Sequence, residues 1–312
     1  MKIYLLWLCI IVAWGKGEAQ QRIQKLNGIH IWTLFKDEQG FIYAGGFKGA
    51  QHSKLFRTTD GGTTWDTLYR AGKHTIWSIA SNGKGIIAAA NHFGGLILST
   101  DNGKTFQVKD TSVFNGSKPW GVAIGKNGFM YVSSSDGVFR STDNGTSFTL
   151  VGLQGLNAFA LLTDKDSANY LYVGVSAKSG KAVGFYKSTD GGQSFSENLN
   201  PNKNGYALFQ DEQRHLYMLS TREPYQLDKS TNRGETWQTI GILPDAARTL
   251  VINKSGEVFV AGNGGVLHSK DGGKNFIQHF FTRPATPILW HNEWLLVGAD
   301  DGVWMISEQT TK

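Results

Sequence analysis

Ser99-Thr100-Asp101-Asn102-Gly103-Lys104-Thr105-Phe106 has the form Ser/Thr, any residue, Asp, any residue, Gly, any residue, Ser/Thr, aromatic, and the chain writes it six times. The other copies run Thr58 to Trp65, Ser141 to Phe148, Ser188 to Phe195, Ser230 to Trp237 and Ser269 to Phe276; Asn232 replaces the Asp in the fifth copy and Asn275 the Ser/Thr in the sixth. Each residue type suits a tight connection between strands. The carboxylate accepts hydrogen bonds from its own turn's amides, glycine permits positive φ, and the hydroxyls cap the remaining groups. The closing Trp or Phe enters the next strand with a large ring to bury. The third positions fall at 60, 101, 143, 190, 232 and 271, so successive copies stand 41, 42, 47, 42 and 39 residues apart.

Around each phrase lies a larger unit. In the second it reads Ile76-Trp77-Ser78-Ile79-Ala80, a Gly/Asn turn at 82–85, Ile86-Ile87-Ala88-Ala89, then Leu96-Ile97-Leu98, the phrase, and Phe106-Gln107-Val108. Short apolar or alternating runs between such turns are strand signals, so the unit is a four-stranded meander. Matching first strands start near Ile31, Ile76, Pro119, Asn157, Gly205, Ala247 and Pro287, which makes seven units for six phrases. The last unit has three strands, Thr286 to Trp290, Trp294 to Gly298 and Val303 to Ser307, and only five residues follow them. Arg22-Ile23-Gln24-Lys25-Leu26 stands where every later unit has its predecessor's fourth strand, and so supplies the missing one. Units of this length and strand number are propeller blades. The expected fold is all-β: a single seven-bladed β-propeller of four-stranded antiparallel blades, the last closed by the N-terminal strand.

Residues 1–19 read as a secretory signal peptide, with Lys2, an apolar stretch from Ile3 to Trp14, and Gly17-Glu18-Ala19 before a cleavage point ahead of Gln20. The propeller then occupies 20–312. Bulky Leu6-Trp7-Leu8 ahead of Cys9 argue against a lipidation box. Cys9 is the only cysteine and leaves with the leader, so no disulfide or thiolate metal site is expected. Without Lys2, Lys16 and Glu18 the chain keeps 29 basic and 24 acidic residues, a net charge of about +5. The excess is mild and scattered, which with the export signal argues against a nucleic-acid partner. No other segment is apolar enough for a transmembrane span, and no metal or cofactor motif is present. A monomer exported to the periplasm or the extracellular space is expected.

The phrase resembles the Asp-box, or BNR, repeat found in sialidases, xyloglucanase-type glycoside hydrolases, sortilin-type receptors and photosystem II assembly-factor-like propellers. The resemblance spans nearly the whole mature chain; it implies the fold and leaves activity open, because those relatives include enzymes, receptors and assembly factors. Near-identical carboxylates on separate blades cannot converge on one substrate, so Asp60, Asp101, Asp143, Asp190, Asn232 and Asp271 are expected to hold turns. Arg57, Arg140, Lys187, Lys229 and His268 recur beside the phrase and read as a solvated outward face.

Function is expected on the opposite face, where the loops between second and third strands differ from blade to blade. The inner strands begin there, bringing Trp32, Trp77, Trp120, Tyr206 and Arg248 to the central opening, with Asn157 at the equivalent point of the fourth blade. These rings either fill wedge-shaped space or form a ligand surface, with Arg248 available for a carboxylate or phosphate. His52, His92, Phe93, Asp136, Arg222, Glu223, Tyr225, Asp300 and Asp301 are further candidates on that face. A sialidase-like site would need three arginines, and only Arg248 stands at an inner-strand start. The two-propeller cleft of xyloglucanases exceeds this chain's length. The catalytic candidates are Asp136, Glu223, Asp300 and Asp301, which lack motif support for a hydrolytic pair. The leading expectation is a non-catalytic propeller that binds a glycan or protein ligand. The alternatives are a glycoside hydrolase using loop carboxylates and an envelope assembly factor similar to the photosystem II type.

Overall fold

The computed structural model describes residues 22–49, 52–72, 74–176, 183–221, 223–278 and 281–307. The expected leader and Arg222 lie outside the described residues. Seven antiparallel sheets, each a meander, follow one another around a ring. Their innermost strands are His30–Lys36, Ile76–Ser81, Pro119–Ile124, Asn157–Thr163, Ala207–Gln210, Ala247–Ile252 and Ala285–His291, taken below as blades 1 to 7.

Second strands such as Ile87–Asn91, Met130–Ser134 and Val258–Gly262 are buried at every position. Neighbouring blades cover both of their faces, which is why they read as continuous apolar runs. The core is therefore divided among the seams: Tyr43 and Leu55 of blade 1, for instance, pack with Ile79, Ile87 and Ile97 of blade 2. Each such Leu or Ile contributes about 1.5–3 kcal/mol through burial.

Arg22–Lys25 closes blade 7 as its outer strand, pairing Arg22 with Ile306 and Lys25 with Val303. At that seam Val303, Met305 and Leu296 of blade 7 pack against Ile31, Ile42 and Phe56 of blade 1, with Ile23 and Leu26 alongside. The open edge that a linear array of blades would leave is thereby removed.

Blade 4 departs from the four-strand expectation, since Asn157–Thr163, Leu171–Ser176 and Gly184–Ser188 form a three-stranded sheet. The following Ser196-Glu197-Asn198-Leu199-Asn200-Pro201 lacks alternation and runs beside the third strand with side chains replacing part of the ladder. Ser196 Oγ accepts from Lys187 N (3.1 Å) and Asn198 Oδ1 from Phe185 N (3.2 Å), while Leu199 N donates to Phe185 O (2.9 Å). A short 3₁₀ helix, Thr111–Phe114, joins blades 2 and 3 and buries Phe114 against Phe139 and Phe148.

Every copy of the phrase folds alike. In the second, Ser99 Oγ donates to Asp101 Oδ1 (2.8 Å) and accepts from Gly103 N (2.8 Å), while Thr105 donates both its amide (2.9 Å) and its hydroxyl (2.5 Å) to the carboxylate. Asn232 keeps the pattern by accepting from Thr236 N (3.0 Å) and reversing the second bond, its Nδ2 donating to Thr236 Oγ1 (2.9 Å). Asn275 likewise donates Nδ2 to Asp271 Oδ2 (2.7 Å) where a hydroxyl would stand.

The recurrent basic position does not face solvent as expected. Arg57 Nη1 donates to Asn102 O (3.1 Å), Arg140 Nη1 to Gly191 O (2.9 Å), and Lys187 pairs with Glu235, each reaching the phrase of the following blade. Lys187 and His268 are buried, the latter stacked on Phe259 at 4.2 Å. At Arg57, Arg140 and Lys187 the position clasps neighbouring blades, because a long cationic side chain can span the seam and meet carbonyl or carboxylate oxygens of the next turn, whereas Lys229 and His268 meet Tyr217 and Phe259 of their own blades.

A second repeated polar device lies under the turns between first and second strands. Buried Asp37, Asp164 and Asp211 accept from Tyr43 (3.2 Å), Tyr172 (2.7 Å) and Tyr217 (3.1 Å) of their own blades. Asp37 also accepts from Ser81 (3.1 Å) and Asp164 from Gln210 (2.8 Å), each on the following blade. Burial and the adjoining carboxylate push the Tyr172 phenol far above its ordinary range, so it stays a donor.

Candidate binding face

The inner strands of all blades but the fifth carry an irregularity where they leave the variable face. In blade 1 the register steps from Ile31↔Gly46 to Thr33↔Gly45 and leaves out Trp32. The same step leaves out Trp77 in blade 2, Trp120 in blade 3, Phe159 in blade 4 and Arg248 in blade 6. In blade 5 Tyr206 directly precedes the first paired residue, Ala207, and blade 7 leaves out Thr286 and Pro287. A bulge frees one side chain from the ladder and re-aims it. Small partners make room: a Cβ on Gly45 would lie 2.8 Å from Ile76 Cγ2, and one on Gly174 only 2.4 Å from Gly205 O.

The re-aimed rings meet in one arc. His30 stacks on Trp32 (centroids 4.9 Å apart), Trp32 lies 5.4 Å from Trp77, Trp77 5.6 Å from Trp120, Trp120 5.1 Å from Phe159, and Phe159 4.5 Å from Tyr206. Trp77 also reaches Phe159, two blades away, at 6.3 Å. The rings thus pack on one another across the opening, from blade 1 to blade 5. Phe159, rather than Asn157, holds the equivalent position in blade 4. Asn157 orients a neighbour: its Oδ1 accepts from Trp120 Nε1 at 2.8 Å, and its Nδ2 donates to Ser176 Oγ at 3.1 Å. An aromatic residue followed by a small one, as in Trp77-Ser78, Trp120-Gly121, Phe159-Ala160 and Tyr206-Ala207, is the sequence signal that finds it.

The arc extends to the rim through His92, 3.9 Å from Trp120, and Phe93, which is 54 % exposed with Lys118 Nζ 4.4 Å above its ring. Burial, with the Lys118 charge beside it, lowers His92 to about 4, so its imidazole is neutral at pH 7. Trp32 Nε1 and His92 Nδ1 are buried without a hydrogen-bond partner among the described residues. At the other end Arg248 adjoins Tyr206, whose phenol burial raises and the guanidinium charge lowers.

The nominated carboxylates are dispersed. Asp300 and Asp301 are both held by Arg283 at 2.7 Å, and Asp301 also accepts from Trp304 Nε1 at 2.9 Å. Burial raises Asp301, but the Trp304 and Arg283 hydrogen bonds outweigh it and keep this carboxyl below its usual value, the wrong direction for a general acid. Asp136 accepts from Gly155 N (3.0 Å) and ties a loop of blade 3. Glu223 and Tyr225 belong to a different feature, a depression of about 480 Å³ on the rim of blade 5. His52 is exposed on blade 1.

No protein-family model and no curated protein sequence matches the chain. Solved structures do match. YCF48 bound to a D1 peptide superposes with a TM-score of 0.68 at 16 % identity, over 92 % of this chain and 96 % of that one. YCF48 from Cyanidioschyzon merolae gives 0.68 at 15 % identity, over 94 % of this chain and all of the other. A catalytically inactive virginiamycin B lyase from Staphylococcus aureus with quinupristin gives 0.72 at 12 % identity, over 94 % and 100 % of the two chains. The extracellular domain of a two component system from B. thetaiotaomicron gives 0.69 at 13 % identity over 94 % of this chain, which spans 42 % of that one. At such identities the likeness is one of fold. The chain is a seven-bladed β-propeller.

Proposed function

We propose that this protein is an exported, monomeric, non-catalytic propeller of the Asp-box type that binds a protein partner through the mouth opposite its repeated turns. The observation that carries the reading is the series of bulges at Trp32, Trp77, Trp120, Phe159 and Arg248, whose rings meet one another and Tyr206 in a single arc. Aromatic side chains and arginine are the residues that dominate protein interfaces. Phe159 and Tyr206 stack on each other, as do His30 and Trp32, which leaves fewer free faces for sugar rings and favours a polypeptide over a glycan. YCF48, which shares the fold, has been seen with a D1 peptide bound, and a role in handling a client polypeptide in the envelope is consistent with that. Three of the four carboxylates nominated for a hydrolase, Asp136, Asp300 and Asp301, are engaged in holding loops, which supports a binding role.

The test uses peptide and glycan arrays probed with the mature protein and with Trp77→Ala and Trp120→Ala. Peptide binding should weaken by about thirtyfold or more in either variant, as for a central interface tryptophan. Unchanged peptide binding in both would remove the mouth as the site, and signals confined to the glycan array would replace the protein partner with a carbohydrate.

A further inference from the structure

Blades 5 and 6 carry a second recess on the variable face, apart from the aromatic arc. Its first part is the open depression of about 480 Å³ formed by Pro224, Tyr225, Ile242 and Pro244, with Glu223 at the edge. Ile242 is 57 % exposed, one of few large apolar side chains so displayed among the described residues. Pro244 is also a wall of the second part, a hollow of about 160 Å³ lined by small residues that include Ala246, Ala261, Gly264 and Gly265. An apolar space of about 150 Å³ takes a benzene-sized group, so the hollow fits one branched or aromatic side chain. Asp245 stands in its wall with one oxygen engaged by Ala246 N (2.7 Å). Among the described residues neither Asp245 nor Glu223 has a cationic partner.

We infer that this recess docks an extended segment of a protein partner, which places one apolar side chain in the hollow beside Pro244 and a lysine or arginine against Asp245 and Glu223. A tyrosine and two prolines forming a shelf suit an extended backbone, as in grooves that receive polyproline-type segments. The two uncompensated carboxylates, on a protein of net positive charge, select for a basic residue in that segment. The site is independent of the mouth and goes beyond the function proposed above.

Gly264 makes the hollow testable. Its φ is not positive, and a Cβ there meets only the Asp245 carboxylate, at 3.3 Å, so Gly264→Leu fills the space with a shift of a few tenths of an ångström in that side chain. Acetylated, amidated hexapeptides, half carrying Lys or Arg next to Leu, Ile or Phe and half carrying Glu in place of the basic residue, would be arrayed against the mature protein. The strongest binder would then be followed by fluorescence polarisation. The basic set should be retained, and Gly264→Leu and Asp245→Lys should each weaken binding at least about tenfold while Trp77→Ala does not and all melting temperatures stay within a few degrees. Equal retention of both peptide sets, or wild-type affinity in Gly264→Leu and Asp245→Lys, would overturn the assignment. Loss in Trp77→Ala alone would place the peptide in the mouth, and a glycan signal abolished by Gly264→Leu would make the recess a sugar site.

Discussion

The aspartates of this chain do two different jobs, and their surroundings decide which of them the fold depends on. In the repeated phrase the carboxylate sits at the surface and its bonds stay within one turn. The Thr105 hydroxyl and amide, followed by the Ser99 hydroxyl, lower Asp101 from 3.8 to about 2. Asp164, by contrast, is 2 % exposed and accepts from the Tyr172 phenol and the Gln210 amide across a seam. Asp164→Ala leaves two donors without partners in the interior, which costs on the order of 2–4 kcal/mol. Asp101→Ala should cost clearly less, because water can reach the freed groups. Urea unfolding of the two variants beside wild type checks the order, and equal midpoints for both would contradict it.

At the scale of the element, the seventh blade depends on a strand from the far end of the chain. A chain beginning at Asn27 lacks Arg22–Lys25 and exposes the edge of Gly302–Ser307 together with Met305 and Val303 at the seam with blade 1. It should melt well below the full mature protein and scatter light at concentrations where the latter is clear; an unchanged melting temperature would show that closure adds no stability. This closure was legible in the sequence because a count of strands comes up one short at one end and one over at the other. The bulges were less legible. Phe159 lies two residues past the nominal strand start at Asn157, and strand counting alone does not see an extra residue inserted in a ladder. The clasp by Arg57, Arg140 and Lys187 was hidden for another reason, since sequence periodicity shows that a residue recurs and not whether it points to water or to the next blade. Three regular strands in blade 4 reflect local composition: Asn198, Asn200 and Pro201 fall where a fourth strand needs alternation and free amides.

For the molecule as a whole, similar turns add up to a defined acid response. The carboxyl of Asp101 is lowered from 3.8 to about 2, Asp190 likewise despite a burial contribution that raises it, and Asp60, Asp143 and Asp271 are also well below the ordinary value. A carboxyl whose value is lower in the folded state adds stability that is fully present above its unfolded value and fades as pH falls through the folded one. Asp101 and Asp190 should therefore lose their contribution between about pH 4 and about pH 2, and Asp60, Asp143 and Asp271 should hold part of theirs to still lower pH. His92 adds an earlier slope: neutral in the fold and ordinary when unfolded, it should remove stability as pH drops from 6.5 toward about 4. Urea midpoints measured across this range in wild type and His92→Phe check both parts, and a variant that keeps the earlier slope would clear His92 of it.

The pairing of Arg22 with Ile306 also has a directional consequence. The third strand of blade 7 ends and its outer strand begins on the side bearing the repeated turns, so both described ends of the chain emerge there, beside each other. A fusion partner, affinity tag or solid support joined directly at residue 22 or residue 307 approaches that side. The opening ringed by Trp32, Trp77 and Trp120 then points away from the attachment, and an immobilised molecule presents it to whatever flows past.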